Sequence, residues 1–408
     1  MAHNKILSVG QNIVRFRKER GWTQVALANR LFISDKTVSK WELGLGNPDI
    51  AMLSKLAELF NISMEQLLFS ENQGITIAGS ILTDNIKIID AYPEKGMLSD
   101  ISDVSNAVGG CVPNTIIDLA RIDRSIPLCA VGRVGDDENG RYALLEMQKY
   151  GIDVKNVKIT QSESTGFSDV MTIAETGERT FFHHRGANRL FTPQDILPKN
   201  IKSRLLHIGY ILLLDAFDAA DPEYGTVMAS FLASVREHGI KTSIDVVSMN
   251  LGCFVEKVVP ALRYCNYAIM NEIEGCSASG LSPRNADGTI NQENIQKTMK
   301  ILMSYGVEDM VIIHCPEAGF LLNKAGEIYT VPSYELPIGF IKGCVGAGDA
   351  FCAGCLYGIY NGFSENEILE FASAAAAFCL SKEDSVSGMQ TKEEIIKWMK
   401  SQKRCKIN

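Results

Sequence analysis

From about residue 74 onward, short apolar runs alternate with longer amphipathic stretches. The apolar runs have the length and composition of strands, and the stretches between them have the spacing of helices. The runs include ITIAG, LCAVG, LLHIGY, TSIDVV, YAIMN and MVIIHC, and the stretches include NGRYALLEMQKYG and GTVMASFLASVREHG. This alternation predicts an α/β fold with a largely parallel sheet and helices on both faces. Ligands of such folds bind beyond the carboxyl ends of the strands.

One segment departs from this alternation. Residues 167–188, FSDVMTIAETGERTFFHHRGAN, alternate with period two on either side of Thr176 and Gly177. Period-two alternation around a short turn is typical of a β-hairpin. We therefore predict a hairpin that lies outside the main sheet and could serve as a lid.

The size and composition of the chain indicate a soluble protein with more than one domain. Its 408 residues exceed what one small core requires, and the contents of 46% hydrophobic and 22% charged residues are ordinary for a globular protein. The N-terminus becomes basic before any long apolar run, and no later stretch has membrane-spanning length without charge or glycine. We therefore expect a cytoplasmic protein that does not associate with membranes.

The cysteines do not form an evident disulfide framework. There are eleven, an odd number, and they are scattered through apolar segments. Cys352 and Cys355 form a CxxC pair inside an apparent helix, without a second pair or nearby histidines. Reduced, buried thiols are the predicted state of these residues.

The first 70 residues differ in charge from the remainder of the chain. They carry nine Lys and Arg against six Asp and Glu, a net charge of +3, whereas the whole chain carries −8. Within them, TQVALANRLFISDKTVSKWELG predicts two short helices joined at Phe32 and Ile33, with Thr23 and Ser34 as N-caps. A third amphipathic helix, over residues 50–60, follows Pro48 and Asp49. A basic helical segment of this size is a candidate for binding nucleic acid.

Residues 8–68 resemble the repressor-type helix-turn-helix domain of the XRE family. The resemblance is carried by RKERGWTQ, SDKTVSKWE and the following NPD. It implies that the second helix of the pair enters the major groove of double-stranded DNA and that Gln24 holds phosphate. The residues it places at the groove are Asp35, Lys36, Thr37, Ser39 and Lys40. The alternative is a helical bundle for protein contact, in which Lys36 and Lys40 form a solvated face and Trp41 is core.

Residues 344–351, CVGAGDAF, combine three small residues with an acid and an apolar run. If a helix begins at Gly346, Ala347 and Gly348, its first amides lack partners within the helix and can bind an anion. Asp349 then places a carboxylate beside that anion site. The alternative is a tight strand-to-helix turn in which Asp349 is only a helix-start charge.

Several other polar or glycine-rich segments lie at predicted strand ends. Asp84 follows the first strand, Gly109 and Gly110 precede a helix whose first turn contains Asn114, and the segment NEIE at 271–274 ends another strand. Taken singly, such residues are commonly turns or caps.

The order and spacing of these segments are similar to those of the ribokinase family of carbohydrate kinases, also called PfkB. GGCVPN, VGRVGDDENG, the hairpin with HHRGAN, NEIE and GAGDAF follow one another over residues 74–399. The resemblance implies a three-layer α/β/α domain over 74–402, with lid strands near 84–108 and 166–184, preceded by the helix-turn-helix domain over 1–70. It also implies transfer of the γ-phosphate of ATP to a hydroxyl of a small sugar or related molecule, with Mg²⁺. A homodimer is expected as well, because a helix-turn-helix of this kind normally binds DNA as a dimer.

Residue by residue, the resemblance assigns roles to the segments described above. Asp349 corresponds to the base, and the amides of Gly346, Ala347 and Gly348 correspond to an anion hole for the transferred phosphoryl group. Asn271 and Glu274 would act on Mg²⁺ and phosphate. The residues assigned to the substrate are Asp84, Gly109, Gly110, Asn114 and, for a substrate carboxylate, Arg185.

This sequence also departs from the family pattern. The segment that corresponds to the nucleotide-binding side of the family reads HCPEAG, from His314 to Gly319. Ser373 stands where members of the family frequently have asparagine. Gly343 stands where many members have an aspartate that binds potassium beside the anion hole. Glu383 and Asp384 are the carboxylates that could compensate.

The sequence leaves three functions open. The first is a sugar kinase that also binds DNA and controls transcription. The second is a sugar-sensing regulator whose kinase fold is catalytically silent, and the third is a nucleoside kinase. Retention of Asp349 and its glycines favours the first over the second, because a sensor needs no base.

Overall fold

The structure is a computed structural model that describes residues 9–407, apart from 11, 15, 19, 69–72, 249–251 and 253. It divides into two compact units, Met1–Gln73 and Gly74–Asn408. Ser8, at the start of the predicted helix-turn-helix domain, lies outside the described residues.

The described part of the first unit is built from helices. Described residues within 9–18 are helical and precede α1 (Gln24–Leu31), α2 (Asp35–Glu42), α3 (Ile50–Phe60) and α4 (Met64–Leu68). The predicted caps are confirmed, because the hydroxyls of Thr23 and Ser34 accept the amides of Ala26 and Thr37. Phe32 makes the turn between α1 and α2 in the left-handed conformation, with φ of 58°.

A small apolar core holds these helices together. It is formed mainly by the buried faces of the helices, and Trp41 belongs to it with 7% of its surface exposed. Arg17 adds a bidentate ion pair with Glu42, with nitrogen to oxygen distances of 2.6 and 2.9 Å. The prediction that Trp41 is a core residue is therefore confirmed.

The second unit is built on a twisted, mainly parallel sheet. Among the described residues this sheet has nine strands in the order β15-β14-β13-β12-β11-β8-β1-β4-β5. All neighbours pair in parallel except β13 with β14 and β14 with β15. Its strands are β1 (Ile75–Ala78), β4 (Leu128–Gly135), β5 (Asp153–Thr160), β8 (Leu205–Ile211), β11 (Lys241–Val246), β12 (Tyr267–Asn271), β13 (Met310–His314), β14 (Ala318–Asn323) and β15 (Ile328–Pro332).

Helices cover both faces of this sheet. One face packs on α5 (Cys111–Ile122), α6 (Glu138–Lys149), α11 (Ala347–Asn361), α12 (Glu365–Leu380) and α13 (Lys392–Met399). The other packs on α7 (Val227–Glu237), α8 (Phe254–Leu262), α9 (Glu272–Ser279) and α10 (Gln292–Ser304). Because strand side chains alternate between faces, Ile75 and Ile77 enter the first core and Ala78 enters the second. The predicted three-layer α/β/α architecture is confirmed.

A separate four-stranded sheet provides the predicted lid strands. It consists of β2 (Leu82–Ile89), β3 (Ile101–Gly109), β6 (Gly166–Ile173) and β7 (Arg179–His184), in the order β3-β2-β6-β7. The predicted hairpin is β6 and β7, which pair antiparallel, while β2 and β6 pair in parallel. The hairpin is therefore joined edge to edge with strands from the start of the unit.

Shorter elements complete the second unit. They are the 3₁₀ helices Gly186–Leu190, Pro193–Asp195 and Pro198–Asn200, and the two-residue strands β9 (Ala220–Asp221) and β10 (Gly225–Thr226). Over the part of the chain that the structure describes, no helix combines the length and apolarity needed to cross a membrane. The ten cysteines described are free thiols, and Cys352 and Cys355 are buried in α11, as predicted.

Candidate active site

The segment GAGD forms the turn into α11. Gly346 is the N-cap and has φ of 80°, a conformation that favours glycine. A Cβ on Gly346 would lie 2.4 Å from the Cβ of Ser385, so the chain passes too close for any side chain. Ala347, Gly348 and Asp349 follow as the first turn of the helix, where backbone N–H groups lack partners within the helix. The predicted helix start with free amides is thus present.

The Asp349 carboxylate is buried at this helix start and held by two donors. Its Oδ2 accepts hydrogen bonds from Nδ2 of Asn114 at 2.8 Å and from the hydroxyl of Tyr210 at 2.9 Å. Burial, followed by the nearby Asp245 carboxylate, raises the pKa of Asp349 to about 6, although both hydrogen bonds oppose the rise. Among the described residues no hydrogen bond reaches Oδ1, so that oxygen is free to accept a proton.

Two cavities meet at Asp349. The larger one, of about 1470 Å³, lies between the lid sheet and the carboxyl ends of the main strands. The smaller one, of about 230 Å³, lies toward the N-terminus of α9. Residues that line both are Tyr210, Val247, Ser248, Gly346 and Asp349. A reaction between molecules in the two cavities would therefore take place at this carboxylate.

The larger cavity contains predicted substrate residues Asp84, Gly110 and Asn114. Burial raises the pKa of Asp84 to about 7, although a hydrogen bond with Ser168 opposes the rise. Gly109 does not line the cavity but makes room for Asp84, because a Cβ there would lie 2.6 Å from Oδ2 of the carboxylate. The Oδ1 atom of Asn114 accepts the hydroxyl of Ser385 at 2.7 Å, which fixes its amide nitrogen toward Asp349.

The smaller cavity contains Asn271 and Glu274, which form the capping box of α9. Oε1 of Glu274 accepts Nδ2 of Asn271 and the hydroxyl of Ser248, each at 2.8 Å. Burial raises the pKa of Glu274 to about 8. Glu274, Asp245 and Asp349 line this cavity, and no lysine or arginine is among its lining residues. A cation would therefore offset the cost of burying these carboxylates.

The three predicted nucleotide residues occupy different surroundings. His314 lines the smaller cavity, packs on the ring of Phe351 with centroids 4.7 Å apart, and has its pKa lowered by burial to about 4. A Cβ on Gly319 would lie 3.2 Å from that same Phe351 ring, and Ser373 is buried with its hydroxyl donating to the carbonyl of Leu369. Neither Gly319 nor Ser373 lines the two cavities.

Arg185, which the resemblance assigns to a substrate carboxylate, lies outside the larger cavity. Its guanidinium pairs with the Asp215 carboxylate. The chain turns at Gly186, with φ of 51°, directly after Arg185. Arg179, at the start of β7, lines the cavity instead and donates to the carbonyl of Glu383 at 3.3 Å. Lys342 and His183 are further basic side chains that line this cavity.

Sequence reasoning did not identify Tyr210, Asp245, Ser248 or Ser385. Asp245 lies near the end of an apolar strand run, TSIDVV, so a carboxylate close to a strand end was a usable signal. Tyr210 ends the run LLHIGY and had the same kind of signal. Ser385 carried no comparable signal, because its contact with Asn114 joins segments far apart in the sequence.

The segment before Gly346 has no free carboxylate. A Cβ on Gly343 would lie 2.8 Å from the carbonyl of Lys382, so this position accommodates only glycine without a shift. The Asp384 carboxylate accepts the amides of Val386 and Ser387 within its own turn, and these bonds lower its pKa against the opposing effect of burial. Glu383 is exposed and lines the larger cavity. Neither Gly343 nor Asp384 therefore supplies a free carboxylate for a potassium site beside the anion hole.

In the first unit, the predicted DNA residues lie on α1 and α2. Lys36 and Lys40 are exposed, whereas Ser39 is partly buried. The hydroxyls of Thr37 and Ser34 are 2.8 Å apart, within hydrogen-bond distance. Gln24 donates to Oε2 of Glu42 at 2.8 Å, so it braces α1 against α2.

Known proteins are similar to both units. A model of the pfkB family carbohydrate kinases matches residues 74–392, and a helix-turn-helix model matches residues 13–67. A 5-dehydro-2-deoxygluconokinase from Listeria innocua is 26% identical, over 71% of this chain and 86% of its own length. A ribokinase from Schizosaccharomyces pombe is 25% identical, over 79% of this chain and 96% of its own length.

The fold is shared with solved structures as well. Arabidopsis thaliana ribokinase, complexed with ribose and ATP, superposes with a TM-score of 0.66 at 19% identity, over 81% of this chain and 99% of that one. The family model covers most of the second unit, including the GAGD turn at Asp349. The chain therefore belongs to the pfkB family of carbohydrate kinases and carries a helix-turn-helix domain ahead of its kinase domain.

Proposed function

We propose that this protein phosphorylates a hydroxyl of a small sugar or sugar derivative with ATP, and that it also binds DNA to regulate transcription. The observation that carries the kinase assignment is the Asp349 carboxylate, which lines both cavities at the free amides of α11. In this proposal residues 74–402 are the kinase domain and residues 1–70 are the DNA-binding domain.

On the acceptor side, Asp84, Asn114 and the backbone at Gly110 would bind the sugar hydroxyls. A carboxylate and an amide suit paired contacts with neighbouring hydroxyls. Oδ1 of Asp349 would take the proton of the attacking hydroxyl, while Oδ2 stays bound to its two donors. Because the pKa of Asp349 is about 6, this group is largely ionised at neutral pH and can act as a base.

On the donor side, the amides of Gly346, Ala347 and Gly348 would stabilise negative charge on the transferred phosphoryl group. The acidic lining of the smaller cavity fits Mg²⁺, with Asn271 and Glu274 holding it directly or through water. Bound Mg²⁺ supplies charge neutralisation at the phosphates. His314, Gly319 and Ser373 remain the residues proposed for the nucleotide side.

The acceptor is proposed to be a sugar or sugar acid. The similar proteins named above include a 5-dehydro-2-deoxygluconokinase and a ribokinase, and Arg179 and Lys342 line the acceptor cavity where a carboxylate could bind.

A screen of ADP release with the purified protein, across sugars, sugar acids and nucleosides, tests this proposal. Turnover of nucleosides alone would make it a nucleoside kinase. Sugar binding without any turnover would make it a regulator with a silent kinase fold.

The first prediction concerns DNA. Replacing Lys36 and Thr37 together by alanine should weaken binding to the specific operator at least tenfold, because one base contact contributes about 1–3 kcal/mol. A selection on random DNA with wild-type protein should first recover a palindrome with half-sites about one helical turn apart, as expected for a homodimer. Affinity for that palindrome is then measured by fluorescence anisotropy at fixed salt.

Lys55→Ala is the matched control for the DNA prediction. Lys55 is an exposed lysine of α3, outside the proposed recognition helix, so its loss removes one charge without removing a base contact. Equal weakening by the control and the double variant, or a selection that enriches no sequence, would refute the proposed interface.

The second prediction concerns pH. Protonated Asp349 cannot accept the substrate proton, and protonated Asp84 loses the charge that binds the acceptor. We therefore expect kcat/KM to rise with pH through about 6 to 7 and then level off. The sign follows from burial, which raises both pKa values above the usual carboxyl value of 3.8. This rise of kcat/KM with pH is measured from initial rates between about pH 5 and 8 in a buffer of constant ionic strength. A kcat/KM that stays flat from about pH 5 to 8 would contradict the assignment.

The third prediction concerns potassium. Activity should change less than about twofold when potassium is replaced by a bulky organic cation at equal ionic strength, because hard cations require charged or carbonyl oxygens that converge on them. Here Gly343 offers no carboxylate and Asp384 is bonded within its own turn. A many-fold rise in turnover with potassium would show that other oxygens complete a cation site.

A further inference from the structure

Tyr210 lies at the point where β8 ends and the two cavities meet. Its hydroxyl donates to Oδ2 of Asp349 at 2.9 Å, although the two residues are 139 positions apart in the sequence. The same side chain lines both the larger and the smaller cavity. Asn114 donates to the same oxygen from α5, on the other side. Two donors on Oδ2 fix the plane of the carboxylate and leave Oδ1 for the reaction.

The backbone of Tyr210 is held in a conformation that non-glycine residues rarely adopt. Its φ is 60°, and Leu212, two residues later, has φ of 85°. Oδ1 of Asp245 accepts the Tyr210 amide at 2.5 Å, and the Tyr210 carbonyl accepts the amide of Leu213 at 3.0 Å. Asp218 accepts the amides of Leu212 and Leu214. Strained backbone persists only where surrounding contacts determine it, and here several contacts do so.

Asp245, which accepts the amide of Tyr210, is itself held in place by other residues. Asp245 Oδ2 lies 3.5 Å from Nε2 of the fully buried His207, whose Nδ1 is 3.1 Å from the hydroxyl of Ser243. A Cβ on Gly209 would lie 2.9 Å from Oδ1 of Asp245, so a glycine before Tyr210 is what allows this approach. The contacts from Ser243 through His207 and Asp245 therefore form a continuous support for the backbone of Tyr210.

We infer that Tyr210 is a positioning residue for Asp349, whose hydroxyl orients the carboxylate and stabilises its ionised form. The effect of Tyr210 on catalysis rests on the proposed function. The hydrogen bond itself can be tested without measuring turnover. A donor to the ionised form of an acid favours that form. Removing the hydroxyl should therefore make Asp349 harder to ionise.

Other titratable groups lie around Asp349. They are Asp245, His207, Asp84, Cys111, Asp118, Glu274, His314, Cys352 and Cys379. Burial, followed by the Asp245 carboxylate, raises the pKa of Asp349, and the donors Asn114 and Tyr210 oppose the rise. Replacing Tyr210 by phenylalanine changes none of the other groups, so a shift in the titration of Asp349 can be assigned to the lost hydroxyl.

The test is a titration of the Asp349 carboxyl carbon by NMR in full-length protein with ¹³C-labelled aspartate. The resonance is the one that disappears in Asp349→Asn. In Tyr210→Phe its midpoint should move to higher pH by about one unit, since a hydrogen bond to a charged group has that order of effect. Tyr305→Phe is the control, because Tyr305 donates its hydroxyl to the carbonyl of Ala278 and loses a comparable bond elsewhere.

A second readout is the rise of kcat/KM with pH on the acid side. In Tyr210→Phe its midpoint should move to higher pH by the same amount as the midpoint of the carboxyl titration. Turnover near pH 8 should stay within about tenfold of wild type. An unchanged carboxyl midpoint in Tyr210→Phe, or an equal shift in Tyr305→Phe, would overturn the inference. A shifted midpoint in a protein that phosphorylates none of the screened acceptors would support the role of Tyr210 and count against the proposed kinase activity.

Discussion

Replacing Asp349 by asparagine should lower kcat by roughly 10² to 10⁴, which is the usual contribution of a general base. Asparagine has nearly the same shape and can still accept hydrogen bonds from Asn114 and Tyr210 through its amide oxygen. It cannot take a proton from the attacking hydroxyl. Turnover is measured as ADP release under saturating sugar, and sugar affinity is measured by calorimetry, which should change little.

Asp287→Asn serves as the control for this prediction. Asp287 is an exposed aspartate that accepts the amide and hydroxyl of Thr289, and it lines neither of the two cavities at Asp349. Its replacement should leave kcat unchanged. Turnover of Asp349→Asn within about threefold of wild type would mean that this carboxylate is not the base.

Replacing Asp84 by asparagine should lower kcat/KM for the acceptor by about 10²-fold, mainly through KM. Hydrogen bonds from sugar hydroxyls to a buried carboxylate are charge-assisted, and losing the charge of such an acceptor costs about 1.5–3 kcal/mol. Asp84 is 8% exposed, and its pKa is raised by burial to about 7. Neutralising it therefore removes an unfavourable buried charge, so the free energy of unfolding should not fall.

The comparison for Asp84 is Asp103→Asn. Asp103 also lines the larger cavity but lies on an exposed stretch of β3, where water screens its charge. Its replacement should change kcat/KM by no more than about threefold. Equal effects of the two variants would indicate a general influence of cavity charge and would contradict a specific contact between Asp84 and the acceptor.

The predictions that the structure confirms concern contacts between residues that are close together in the sequence. Thr23 and Ser34 cap helices because a hydroxyl reaches an amide three residues ahead, and the GAGD turn opens α11 because glycine accepts the required backbone. The strand and helix alternation likewise follows from local periodicity. Such features can be read from a short window of sequence.

The placement of the two arginines near the lid could not be predicted in this way. Arg179 and Arg185 are six positions apart on one hairpin, and an even spacing on a strand would put both on the same face. β7 ends at His184, and the chain turns at Gly186, so Arg185 leaves the sheet and meets Asp215. The end of a strand and the partner beyond it depend on the surrounding fold.

The sequence by itself determined the element order, the helix caps, the glycine turn before Asp349 and the two-part organisation of the chain. Only the tertiary structure decided that Tyr210 and Asn114 converge on one oxygen of Asp349, that Ser385 orients Asn114, and that Arg179 lines the acceptor cavity. The physical reason is the range of the interactions. Caps and turns are closed by hydrogen bonds over a few residues, whereas the site is closed by contacts between segments 139 to 271 positions apart, which exist only once the helices have packed on the sheet.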